Sequence, residues 1–257
     1  MARANRHFLA GCVWHITHRC HQKSFLLRFA KDRNCWQRWL GEAKRRYGLC
    51  VLNYMVTCNH VHLLVHDAGR GEIARSVQLV AGRTAQEFNR RKSRRGAFWE
   101  DRYHATAVES DKHLFRCMIY IDLNMVRAGV VSHPGNWPHC GYREIQAPPV
   151  RYGIVDIEQL IRLLDVADAS SLAELCRNRV AEELEKSTLT RVAHWSESVA
   201  VGSEAFVNDV KRRLGNRALG REVVASESET LLRERRASYN GHFALKNAPL
   251  TPENAEK

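Results

Sequence analysis

The sequence lacks the cysteine spacing of a zinc ribbon or a dithiol redox site. Its eight cysteines (Cys12, Cys20, Cys35, Cys50, Cys58, Cys117, Cys140 and Cys176) never come closer than eight residues, so there is no CxxC pair. In a reducing compartment most such cysteines serve as small buried apolar residues. No apolar run approaches the roughly 20 residues that span a bilayer. The N-terminal apolar stretch is broken by His15 and His18, which makes a poor signal peptide. A cytoplasmic protein with no membrane partner is expected. There is also no internal repeat and no heptad array, which excludes a solenoid and a coiled coil. Negative charge is the scarce sign: Asp+Glu number 28 against 40 Lys+Arg, a net charge of +12. That excess favours a polyanionic partner, nucleic acid ahead of an anionic membrane surface.

What is present reads as alternating strands and helices. Residues 8–20 carry Val, Trp, Ile and Thr and predict a strand. Residues 30–47 predict a helix with Trp36, Trp39, Leu40 and Ala43 on one face and Gly48 as its stop. Residues 49–57 and 60–67 predict a hairpin that turns at Asn59, and 72–91 a second helix. A basic loop and an extended run fill 90–110; a third helix follows, with Ser110 as N-cap and Gly129 as C-cap. Strand, helix, strand, strand, helix, strand, helix is the ferredoxin-like order, an α+β fold with helices packed on an antiparallel sheet. The pattern ends near residue 147 at "APP", which reads as a linker. The chain thus divides into 1–147 and a mainly helical, basic extension, 148–257. In the extension Ser171 and Glu174 suggest a capping box and Ser203 opens a helix that ends at Gly215. Residues 228–239 suggest a basic helix and the last twelve residues a disordered tail.

The chemistry concentrates in "TCNHVHLLVH", residues 57–66. Residues i and i+2 of a strand share a face, about 7 Å apart. His60 and His62 therefore point the same way, while Val61, Leu63 and Val65 point into the opposite layer. Two neutral imidazoles on one face are half of a metal site or a hydrogen-bonded pair. Cys58 has the same strand parity and would complete a zinc site; a harder metal would take an oxygen donor instead. The third helix offers one. At about 100° per residue, Tyr120 and Asn124 share a face, with His113, Arg116 and Arg127 close to it. Leu114, Phe115, Met118, Ile121, Met125 and Val126 form the apolar stripe, and Asp122 falls awkwardly within it. A phenol beside guanidiniums suits phosphate chemistry, since arginine binds phosphate oxygens in pairs. His15, His18 and His21 read as surface or hydrogen-bonded residues.

In order along the chain, "YMVTCNHVHLLV", "FWEDRYHATAVES" and "MIYIDLNMVRAGVV" resemble the single-tyrosine HUH transposases. With "NWP" after the helix, the resemblance is closest to the REP-associated tyrosine transposases and spans roughly residues 5–147. It implies an HUH nuclease fold and, as metal-binding residues, His60, His62 and Asn124 around Mg²⁺ or Mn²⁺. It implies Tyr120 as the nucleophile of a single-stranded DNA endonuclease and strand transferase that works through a 5′-phosphotyrosine at palindromic hairpins. Relatives include monomers and homodimers. The family's usual "NPVRAG" reads "NMVRAG" here, and Met125 in place of proline predicts a straighter helix.

Beside these, Arg116 and Arg127 are candidates for charge stabilisation at the phosphate. Arg90, Arg91, Lys92, Arg94, Arg95 and Arg102 are candidates for DNA contacts, with Phe98 and Trp99 either stacking on bases or packed in the core. Two other functions compete: a catalytically silent hairpin-binding protein, and a zinc hydrolase built on Cys58, His60 and His62.

Overall fold

The computed structural model describes residues 8–186, 190–226 and 229–235. Its first half follows the ferredoxin-like order. β1 (Val13–Arg19) leads through a short 3-10 turn to α1 (Ala30–Tyr47), then to β2 (Cys50–Val56), β3 (His60–His66), α2 (Glu72–Arg91), β4 (His104–Val108) and α3 (Lys112–Asp122). These strands pair antiparallel in the order β2-β3-β1-β4. α1 ends where expected, at Gly48, whose φ of 67° suits a residue without a Cβ.

The period-2 pattern of the strands sets the two layers. Tyr54, Leu63 and Trp14 face α1 and α2, and the Trp36 ring lies 6.3 Å from Tyr54. Asn53, Leu64 and His15 face the other way, towards α3, where Asn53 Nδ2 donates to Asp122 Oδ1 at 2.9 Å. This hydrogen bond accounts for the carboxylate in the apolar stripe: it ties α3 to β2 at full burial.

Two details of α3 differ from expectation. The N-cap is Asp111, not Ser110; Asp111 Oδ1 accepts from the His113 amide at 3.2 Å. The helix is not straight despite Met125. It is interrupted at Leu123, whose ψ is 3°, and resumes as α4 (Asn124–Arg127). Arg127 Nη2 donates to the Tyr120 carbonyl across the break at 2.6 Å. Gly129 then takes a left-handed φ of 66°.

After α5 (Gly141–Gln146), the extension carries α6 (Ile157–Leu164), α7 (Ala169–Leu184), α8 (His194–Glu197), β5 (Ala200–Gly202), α9 (Glu204–Leu214), β6 (Arg221–Ala225) and β7 (Thr230–Glu234). It is mainly helical, but its three strands prolong the same sheet to β2-β3-β1-β4-β5-β7-β6. Since β5 runs parallel to β4, the sheet is mixed rather than wholly antiparallel. The segment read as a basic helix over 228–239 is a strand where it is described, because Leu231 and Leu232 pair between β5 and β6. The expected tail lies outside the described residues. α7 is capped by Asp168, whose Oδ1 accepts from Ser171 N at 2.8 Å, so the Ser171/Glu174 pair lies inside the helix. No helix among the described residues is long and apolar enough to cross a membrane.

Candidate active site

His60 opens β3 and His62 follows on the same face. Their Nε2 atoms approach to 3.1 Å. The hydrogen bonds on the far side of each ring fix where the protons are. His60 Nδ1 lies 2.7 Å from Asn59 Oδ1 and 2.9 Å from Thr57 Oγ1. Thr57 spends its own proton on the His60 carbonyl at 2.8 Å, so His60 Nδ1 is the donor and Nε2 keeps its lone pair. His62 is fixed by a longer chain. The Trp195 carbonyl can only accept, so His15 Nδ1 donates to it at 2.7 Å. His15 Nε2 is then an acceptor and takes the proton of His62 Nδ1 at 2.9 Å. His62 Nε2 is left with a lone pair as well.

Two lone pairs thus face each other. Burial, helped by neighbouring cations, pushes His60 down to about 4 and His62 well below its ordinary value, so both rings are neutral at neutral pH and neither Nε2 is protonated. Such a pair repels unless a cation sits between or beside it. Asn124 opens α4 with its amide 3.0 Å from His62 Nε2; a half-turn of that amide presents Oδ1 in place of Nδ2. Two imidazole nitrogens and one amide oxygen fit a divalent ion that keeps open positions for phosphate oxygens or water.

Cys58 is not part of this arrangement. Among the described residues, the only group of three or more His, Cys, Asp and Glu side chains whose ligand atoms all lie within 4.8 Å of one another is Glu109, Asp111 and His113. The Cys58–His60–His62 zinc site is therefore not formed: Cys58 sits in the turn ahead of β3. The acidic trio is already engaged, Glu109 by the amide and hydroxyl of Ser203 at 2.6 and 2.8 Å, and Asp111 by the start of α3.

Tyr120 comes from the middle of α3. Its ring centre lies 6.0 Å from that of His62 and 6.2 Å from that of His15, edge-on to both. The Arg127 guanidinium covers the ring at 4.2 Å. His60, His62, Tyr120, Asn124 and Arg127 all line one cleft of about 820 Å³. Arg19, Lys23, Arg102 and Arg191 add positive charge to its walls, against Glu100, Asp101 and Glu197. Arg191, Ser196 and Glu197 belong to the extension, which also supplies the Trp195 carbonyl.

The other candidates lie elsewhere. Arg116 borders a second cleft, on the far side of Tyr120, and pairs with the buried Glu229 at 3.4 Å. Arg90 and Arg91 line a groove between α1 and α2, where Arg91 pairs with Asp32. Lys92 lies against Phe29, and Arg94 is held by Asn89 and by the carbonyls of Gly96 and Ala97. Of the six proposed DNA contacts only Arg102 borders the Tyr120 cleft; Arg95 is exposed in the loop after α2. Phe98 is buried, and Trp99 stacks on His18 at 4.2 Å and donates Nε1 to the Ala81 carbonyl, so both are structural. The residue that sequence reasoning passed over is His15. Its position on β1 gives it the same face as His62, but the pairing of β1 with β3 is not legible from a single strand.

Comparison with known proteins gives a family likeness over the first part of the chain. The family described as "Transposase IS200 like" matches residues 9–124, a span that begins ahead of β1 and ends on Asn124. No curated protein matches. Among solved structures, a REP-associated tyrosine transposase bound to a REP hairpin is 19% identical, covers 58% of this chain and 87% of its own, and superposes with a TM-score of 0.49. A candidate transposase from Deinococcus radiodurans R1 is 15% identical, with coverages of 50% and 92% and a TM-score of 0.33.

Proposed function

We propose that the protein is a metal-dependent single-stranded DNA endonuclease and strand transferase of the REP-associated tyrosine type, acting beside palindromic hairpins. The observation that carries this reading is the pair of unprotonated Nε2 atoms 3.1 Å apart, with Asn124 alongside, in the same basic cleft as Tyr120. His60, His62 and Asn124 would hold Mg²⁺ or Mn²⁺, which supplies Lewis-acid polarisation of the scissile phosphate. Tyr120 Oη attacks phosphorus as the P–O3′ bond breaks. The phenol loses its proton, the leaving 3′ oxygen gains one, and the strand's 5′ phosphate stays on the tyrosine. The ester retains the energy of the broken bond, so rejoining to another 3′ hydroxyl needs no nucleotide cofactor. Arg127, stacked on the ring, favours the developing phenolate. Arg116 is better placed to anchor Glu229 than to meet the phosphate. His15 positions His62 without touching substrate.

The test uses a labelled single-stranded hairpin from the gene's own flank, incubated with protein and Mn²⁺. A covalent protein–DNA adduct that survives denaturation is expected, absent with Tyr120→Phe and absent in chelator. Hairpin binding without any adduct would instead establish the silent DNA-binding alternative.

A further inference from the structure

The segment between β1 and α1 holds two aromatic rings that the fold does not use. Of the described phenylalanines only Phe25 and Phe29 are exposed, at 66% and 55%. We propose that they form a stacking platform for unpaired bases of the DNA strand that enters the Tyr120 cleft. The proposal rests on the function inferred above and adds where the strand runs.

The first support is rigid placement. Cys20 N donates to the Asn59 carbonyl at 2.8 Å, Asn59 Nδ2 to the Lys23 carbonyl at 3.2 Å, and Leu27 N to the Cys58 carbonyl at 2.9 Å. Phe25 is therefore bracketed by two hydrogen bonds to the turn that immediately precedes His60. Lys23 itself lines the catalytic cleft. Leu27 is fully buried, and Arg33 Nη1 donates to the Leu27 and Arg28 carbonyls at 2.9 and 2.6 Å. The loop is anchored on both sides of the ring it presents.

The second support is backbone conformation. Gln22 and Lys23 have φ values of 52° and 57°, a left-handed pair with no glycine. Side-chain-bearing residues rarely adopt that region, and they persist in it where surrounding contacts hold them. Here the contacts hold a conformation that leaves an aromatic ring in water.

The third is charge. Residues 19–31 contain Arg19, Lys23, Arg28 and Lys31 and no carboxylate. Lys92 Nζ lies 5.3 Å from the Phe29 ring centre and the Arg28 guanidinium 5.9 Å. Exposed rings set among cations match a single strand, whose bases stack on aromatic faces while its phosphates meet the cations. A protein partner would ask for a contiguous apolar patch, and a duplex keeps its base faces stacked inside.

The test is binding of a fluorescent single-stranded oligonucleotide to the full chain in chelator, where no cleavage proceeds, followed by anisotropy. Phe25→Ala and Phe29→Ala are expected to weaken binding about tenfold each, and Phe25→Trp to retain it. Both rings are exposed, so thermal melting should be unchanged. Replacing the stacked nucleotides by abasic residues should weaken wild-type binding to the same extent, with no further loss in the alanine variants. Alanine variants that bind like wild type would overturn the platform and leave the transposase reading standing. A wild-type chain that binds no single strand would overturn both.

Discussion

At the scale of single residues, the site is a problem in placing protons. A histidine binds a cation through a lone pair, and which nitrogen has it depends on what the other nitrogen does. Asn59 and Thr57 settle this for His60 locally, from residues next to it in sequence. For His62 the settlement is remote: it needs His15 on β1 and the Trp195 carbonyl 180 residues further on. Burial keeps His15 neutral by pushing it down to about 4. Removing the ring leaves His62 free to turn or to adopt the other tautomer. His15→Ala is therefore expected to weaken Mn²⁺ binding by roughly 10- to 100-fold, read by paramagnetic resonance of free Mn²⁺. Far-ultraviolet dichroism should stay intact. His15→Gln, which can still accept from His62 Nδ1, should recover part of the affinity. Unchanged Mn²⁺ affinity in the alanine variant would remove His15 from the mechanism.

At the scale of elements, the groups proposed to be catalytic are set by how α3 meets the sheet. Asp122 is the joint. Burial raises its carboxyl from 3.8 to about 7, while the Asn53 amide pulls the other way, and its Oδ2 has no partner. A carboxyl that holds its proton more tightly when folded than when unfolded costs stability as pH rises. Between about pH 4 and pH 7 the unfolded chain releases a proton that the native chain keeps, so stability falls across that window and levels off above it. Asp122→Asn keeps the acceptor for Asn53 and removes the titration. It is expected to flatten the pH dependence and to raise stability at pH 8 by an amount on the order of 2 kcal/mol, measured by urea denaturation at pH 5 and pH 8. Equal losses at both pH values would show that the carboxyl is needed for packing. Much at this scale was legible beforehand. The alternation in "HVHLLVH" separated the two layers, and helical spacing brought Tyr120 and Asn124 to one side. The break at Leu123 was not legible, because it comes from no proline or glycine; nor were β5 and β7. A three-residue "AVG" is too short to show a period, and "TLLRE" carries adjacent leucines that a helix accepts equally well. Only pairing decides, of β5 with β4 and of β7 with β5 and β6, and pairing is tertiary.

At the scale of the whole molecule, the boundary near residue 147 marks a change in sequence pattern but not an edge of the sheet. The family match stops at residue 124, yet the Tyr120 cleft takes part of its wall from residues 191–197, and β4 is an inner strand only because β5 lies beside it. His104 Nε2 and Thr106 Oγ1 both donate to the Ser198 carbonyl, at 2.9 and 2.7 Å, across that same seam. A chain ending at residue 147 would lose these acceptors and expose the edge of β4, an invitation to aggregate. It would also lose the buried Trp195, Val199, Val201 and Leu232 from the common core. Each such side chain contributes about 1.5–3 kcal/mol by burial, so four of them approach the roughly 5–15 kcal/mol that holds an ordinary domain together. The truncated chain is expected to melt non-cooperatively or to aggregate, and to lose Mn²⁺ binding together with adduct formation. The decisive comparison adds residues 148–257 back as a separate polypeptide. Restoration of both the melt and Mn²⁺ binding would show that the extension completes the active site through the seam at β4 and β5. A truncated chain that melts cooperatively and binds Mn²⁺ unaided would show it to be an appendage after all, and would leave the Trp195 carbonyl without a role at His15.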